Sequence, residues 1–132
     1  MAYRFEFDSA NKILRLLIEG PVTEELALEI HAAIRKHWTA TNAKAGIWDC
    51  SSVTDVPIFT EHIRQMARHQ PAIPEMANLP RIIVAPATAN FGLSRMFQIV
   101  GEEKRPMLKT ARSMDEALKE LGVKSSHFEP LA

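Results

Sequence analysis

Tyr3, Phe5 and Phe7 alternate with Arg4 and Glu6, the two-residue period of a strand with one buried face. After the polar stretch Asp8 to Lys12, the run Ile13 to Ile18 is almost wholly apolar and stops at Gly20-Pro21. It predicts a second, better buried strand paired antiparallel with the first. Leu26, Ile30, Ala33, Ile34 and Trp38 then recur at helical spacing behind the N-cap candidate Thr23. Glu24 and Glu25 fall in the first turn, and Arg35, Lys36 and His37 are expected in the last, as the helix dipole prefers.

The short apolar run from Lys44 to Cys50 reads as a central strand opening into a loop at Asp49. Phe59, Ile63, Met66, Ala67 and Gln70 mark a helix ended by Pro71 and Pro74. Arg81 to Ala85, between two prolines, has the continuous apolar character of a strand covered on both faces. Leu93, Met96, Phe97 and Val100 give the next helix its core side, with Thr88 or Asn90 as cap and Gly101 near its end. Met107-Leu108-Lys109 predicts a last strand, and Ser113 to Glu116 matches a capping box before a helix closed by Gly122. Residues 124–132 show no period and read as a loosely held tail. The expected class is α/β: a mixed, mostly parallel sheet of about five strands opened by an antiparallel hairpin, with about four helices.

Composition narrows the function classes. At 132 residues the chain fits one domain, and its 46% apolar and 24% charged residues are ordinary for a globular protein. Sixteen Lys plus Arg balance sixteen Asp plus Glu, so no global field would gather nucleic acid. Cys50 is the only cysteine, which excludes an internal disulfide and zinc sites with two thiolates and makes a reducing cytoplasm the simplest compartment. No apolar run approaches the roughly 20 residues that span a bilayer, so no integral membrane segment is expected.

The order of elements, with a strand leading into Asp49-Cys50-Ser51-Ser52-Val53, resembles the STAS domain of bacterial anti-sigma factor antagonists. The stretches Phe91-Gly92-Leu93-Ser94-Arg95-Met96-Phe97 and Met114-Asp115-Glu116-Ala117-Leu118 are similar to its SpoIIAA-like branch, with coverage from about Tyr3 to Val123. The resemblance implies a bacterial regulatory module that recognises a protein partner. In the antagonists a partner kinase phosphorylates a serine after the central strand. Here Pro57 and Ile58 stand where the acid and the serine belong, so the usual phosphoswitch is not expected.

Candidate chemistry is sparse. His62 and His69 lie seven apart, about 10 Å along a helix axis, too far for one metal without a third ligand between them. No HExxH spacing, GxGxxG or Walker loop occurs, so no metal or other cofactor is expected. Asp49 at a strand end suits either a catalytic acid or a carboxylate that bonds the loop it opens. Cys50 has no orienting partner in the pattern, and its plainer role is a small buried residue. Thr88, Asn90 and Arg95 surround a predicted helix start and suit either an anion or plain capping. Phe59, Met66, Met76, Phe91, Met96 and Phe97 exceed what one small layer needs; most are expected in the core, and because adjacent Met96 and Phe97 cannot both sit in one narrow stripe, one is a candidate for a pocket or a dimer face, an argument that extends to Phe91.

With no nucleophile, base and oxyanion donor converging, the expectation is a non-enzymatic binding module that recognises a protein partner or a second copy. The alternative is a carrier or sensor of a small apolar or lipid-like ligand, with an anionic ligand also compatible. The residues assigned to binding are Phe59, Met66, Thr88, Asn90, Phe91, Arg95 and Met96.

Overall fold

A computed structural model describes residues 2–68, 76, 78–102 and 106–131. Strands β1 (Tyr3–Asp8) and β2 (Ile13–Gly20) form the opening hairpin, followed by α1 (Glu24–Thr41), β3 (Ala45–Val53) and α2 (Thr60–Arg68). Then come β4 (Arg81–Val84), α3 (Thr88–Val100), β5 (Leu108–Ala111), α4 (Met114–Glu120) and the short β6 (Glu129–Pro130). The sheet order is β5-β4-β3-β2-β1-β6, with β2 through β5 parallel and β1 antiparallel to both its neighbours. Both the mixed, mostly parallel sheet and the four helices follow the sequence pattern.

Alternation along the strands sorts side chains between two faces. Leu14, Leu16, Ile18 and Trp48 meet α1, whereas Ile13, Ala45, Ile47, Ile82 and Val84 meet Ala117 of α4. On the first face, Trp38 of α1 sits edge-on to Trp48, their ring centroids 6.3 Å apart. The close approach requires a glycine at position 46, where a Cβ would come within 2.8 Å of the Trp48 ring and 3.0 Å of the Trp38 ring.

Several local expectations are corrected. α1 runs a turn further than Arg35 to His37 suggested, to Thr41, because Asn42 supplies a left-handed C-cap at φ 54°. Thr23 caps its start as expected, accepting from the Leu26 N–H. β3 does not end at Asp49 but continues to Val53, with a bulge opposite Leu17–Glu19 that absorbs one extra residue. Neither Thr88 nor Asn90 caps α3; its N-cap is Ala87, with no side-chain bond. The capping box of α4 is half formed: Ser113 accepts from the Glu116 N–H, while the Glu116 carboxylate takes the Arg112 N–H.

The predicted loose tail is docked, and it supplies a sixth strand. Asp8 is 1% exposed and accepts from Asn11 and from the His127 N–H, Asn11 donates to Ser125 O, and Glu129–Pro130 pair with β1. Phe128 stacks under Arg15, 5.4 Å from guanidinium carbon to ring centroid, and Leu131 packs on the core. These contacts join positions more than a hundred residues apart, which no local periodicity reveals. The predicted helix end at Gln70 to Pro74 lies outside the described residues.

Candidate functional site

α1, α2 and α3 cover the sheet face that carries Leu16, Ile18, Trp48, Cys50, Ile83 and Leu108, and they leave a cavity of about 270 Å³ against it. Ile30 and Ile34 of α1, Ile63 and Met66 of α2, and Leu93 and Phe97 of α3 form its opposite wall, and His31, which is exposed, places its mouth at the surface. The reason for the space is visible in α2. Of its side chains that are described, Ile63 alone is buried, so this helix bridges the gap between α1 and α3 without filling it. Beside the lining residues Ala27 and Ile63, the start of α1 is tied to α2 by Glu24 and His62, Oε1 to Nδ1 2.9 Å. The contact is not an aligned hydrogen bond, and it is an ion pair only when the imidazole carries a proton.

The lining is chemically uniform. Among the described residues it holds one side chain with a permanent charge, Arg81, and no carboxylate. Cys50 joins the apolar part, because burial, helped by the neighbouring Asp49 charge, pushes its thiol up to about 12 and keeps it protonated. A thiolate nucleophile is therefore not available at neutral pH.

Asp49 lies on the other face of the sheet. One carboxylate oxygen accepts from both the N–H and the hydroxyl of Ser51, at 3.0 and 2.5 Å, and the other takes Arg15 Nη2 at 2.8 Å. Burial raises its affinity for a proton, but these hydrogen bonds and the Arg15 charge outweigh it and hold the carboxyl below its ordinary range. Arg15 also pairs with Glu6 at 3.1 Å. An ionised carboxylate already saturated by internal donors fits the structural alternative for Asp49.

Of the residues assigned to binding from sequence, Met66 lines the cavity, and Phe59, Asn90, Phe91, Arg95 and Met96 do not. Phe59 precedes α2 and is 79% exposed, edge-on to His62. Asn90 is buried and donates to Val53 O at 3.2 Å, pinning α3 to the end of β3. Phe91 packs on Ile83, Ala85 and Leu108 with the Arg112 guanidinium 3.9 Å over its ring. Arg95 does not lean back over the start of α3; it donates along the helix to Gln98, which also accepts from Thr110. Met96 is half-buried outside the cavity, and Thr88 is the first residue of α3. Sequence reasoning missed Arg81, whose place at the head of an apolar strand was the available signal. Trp48 and Ile83 read simply as strand interior. Among the described residues no three His, Cys, Asp or Glu side chains gather closely enough to hold a metal ion, and no helix is long and apolar enough to cross a membrane.

No protein-family model matches the chain, and no curated protein matches it in sequence. Solved structures do match in fold. The unphosphorylated form of the anti-sigma factor antagonist SpoIIAA aligns over 92% of this chain and 98% of its own, at 11% identity and a TM-score of 0.55. The phosphorylated form of SpoIIAA, described as a Bacillus cell fate determinant, aligns over 91% and 99%, at 16% identity and 0.55. An uncharacterized protein of the DUF3478 family with a SpoIIAA-like fold, from Shewanella loihica, aligns over 83% of each chain, at 12% identity and 0.50. The chain has the SpoIIAA-like, STAS-type α/β fold.

Proposed function

We propose that this chain is a non-catalytic binding module that holds a small apolar molecule between the sheet and α1, α2 and α3. The observation that carries the reading is the cavity itself: about 270 Å³ with a lining made mainly of Ile, Leu, Val, Met, Phe and Trp side chains. That size falls near the small end of the roughly 300–1,000 Å³ of ligand pockets. Hydrophobic transfer into it gains about 25 cal/mol per Å² of apolar ligand surface. Titration with decanol, followed by tryptophan fluorescence, tests the reading because Trp48 belongs to the wall. Saturable quenching with a raised melting temperature is expected; at a hundred times the Kd the ligand adds about 2.7 kcal/mol of stability. No quenching and no shift would remove the reading.

A second reading, recognition of a protein partner, is favoured by the exposure of Phe59, Leu28 and Ile99 at 79%, 71% and 60%. It also draws on the likeness to an anti-sigma factor antagonist. On this reading recognition works without a phosphoswitch, since Pro57 and Ile58 occupy the segment before α2. Incubation with an anti-sigma type kinase and ATP then leaves the mass unchanged, and a stoichiometric phosphate on Ser51 or Thr54 would restore the switch. Sedimentation of wild type and Phe59→Ser separates self-association, which the substitution should weaken, from a monomer.

A further inference from the structure

We infer that residues 124–131 guard the outer edge of β1, and that the guarded edge, residues 3–7, pairs with the same strand of a second copy once the guard lifts away. This surface shares none of the cavity's lining residues, so the inference stands apart from the ligand reading.

The hydrogen bonds define the edge. Ala2 O accepts from the Glu19 N–H at 2.8 Å, so by alternation the backbone of Arg4 and Glu6 turns to β2 and that of Tyr3, Phe5 and Phe7 turns outward. The guard meets this edge at Phe5 to Phe7: the Leu131 N–H donates to Phe5 O at 2.9 Å, while Pro130 and Glu129 pair with Glu6 and Phe7. By the same alternation the Pro130 nitrogen points away from β1, where a further strand would need a donor and finds none. The outermost strand is therefore blunted against pairing, and the strand beneath it is not. The guard is held at few points: the Asp8 and Asn11 bonds to His127 and Ser125, Phe128 against Arg15, and Leu131 on the core. Lys124, Ser125, His127, Glu129 and Pro130 are exposed.

Uncovered, β1 is complementary to itself. An antiparallel pair centred on Phe5 sets Phe5 against Phe5 of the second copy, Tyr3 against Phe7, and Arg4 against Glu6 on both sides of the two-fold axis. With their backbones outward, Tyr3, Phe5 and Phe7 take the hydrogen-bonded positions of such a pair. Arg4 and Glu6 then take the closer, non-bonded positions, where opposite charges attract. The neighbouring registers of the same phase are opposed, because one sets Arg4 against Arg4 and the other Glu6 against Glu6. The three aromatic side chains already share the α1 face of the sheet, so pairing would extend one apolar surface across the axis. Guard and second copy both require the Phe5 and Phe7 backbone, and each excludes the other.

The test is sedimentation equilibrium of the full chain, with amide hydrogen exchange of dilute protein at Phe5 and Phe7 reporting whether the edge has opened. Phe128→Ser, which removes the ring against Arg15, should speed exchange at both amides and lower the dimer dissociation constant at least about tenfold relative to wild type. Asn11→Ala, at an exposed site that ties down Ser125, should act in the same direction by about threefold. Adding Arg4→Glu to Phe128→Ser sets acid against acid and should return the dissociation constant to the wild-type value. In a mixed-label dimer of Phe128→Ser, isotope-filtered NOEs should join Arg4 Hα of one copy to Glu6 Hα of the other. An opened edge without stronger association overturns the inference, as does association that Arg4→Glu leaves intact. If Phe128→Ser does not fold, the same measurements on Asn11→Ala, alone and with Arg4→Glu, decide the matter. Phe5 and Phe7 amides as protected as in wild type in every folded variant would show that residues 124–131 guard nothing.

Discussion

On the α4 side of the sheet, Ile13, Ala45, Ile47, Ile82, Val84 and Ala111 close on Ala117 with small and β-branched side chains. On the opposite side, Trp48 of the sheet and Ile34, Met66 and Phe97 of three helices line a space of about 270 Å³. The filled face uses short side chains under a seven-residue helix that can settle close to the strands. The open face uses long side chains under three helices, and among the described side chains of α2 Ile63 alone is buried. Space therefore arises where helices are positioned by their ends and by each other, and vanishes where a short helix is free to collapse onto β-branched residues.

That difference predicts unequal responses to truncation. Ile47→Ala, at a 0% exposed position on the filled face, should cost about 2–5 kcal/mol in urea denaturation. Ile63→Ala, beside a cavity already present, should fall at or below the low end of that range. Equal losses would mean that α2 packs as tightly as α4.

The filled face also carries the buried ion pair. Asp49→Ala leaves Arg15 with Glu6 alone and should cost about 2–3 kcal/mol, below the 3–5 kcal/mol of a fully buried pair because the Arg15 side chain is 20% exposed. Asp8 behaves similarly: burial raises its pKa, but hydrogen bonds from Asn11 and the His127 N–H outweigh this and lower it. For both carboxyls the folded value lies below the ordinary 3.8, so the unfolded chain takes up protons first as pH falls. Their stabilisation is complete well above pH 3.8 and is lost as pH drops through the folded values. Denaturation midpoints measured across that acid range should fall steeply in wild type and less steeply in Asp49→Asn.

Overfilling gives the reverse contrast to truncation. Ala117→Leu, at a 0% exposed site, should cost about 1–2 kcal/mol. Ser94→Leu, which points into the cavity wall, should stay within about 0.5 kcal/mol and weaken decanol binding.

The smallest effect concerns the Glu24–His62 tie. Both side chains are substantially exposed, 59% and 44%, so Glu24→Gln should change stability by less than about 1 kcal/mol. If the tie restrains α2 over the cavity, stopped-flow association of decanol should nevertheless become faster; an unchanged rate would make the pair a surface contact and nothing more.

The sheet, its hairpin entry and all four helices were legible because each rests on a local period of two or 3.6 residues. The docked tail was not, since Asp8, Asn11 and His127 find one another across the whole chain. The site was less legible still. Met66 was identified because an amphipathic helix advertises its inner side, but Arg81 sits in a strand whose pattern says only that it is buried. Arg95 drew attention as a cation near a helix start, yet its side chain runs along α3 to Gln98. Which buried side chains border a void depends on how far apart three helices stand, and that distance is set by contacts no single segment encodes.

Isoleucine methyl resonances report on both faces at once and test the central claim most directly. With decanol added, the methyls of Ile30, Ile34, Ile63 and Ile83 should shift, while those of Ile13, Ile47 and Ile82 on the α4 side and of exposed Ile99 should not. Shifts centred on Ile99, or spread equally over both faces, would contradict a ligand chamber between the sheet and α1, α2 and α3.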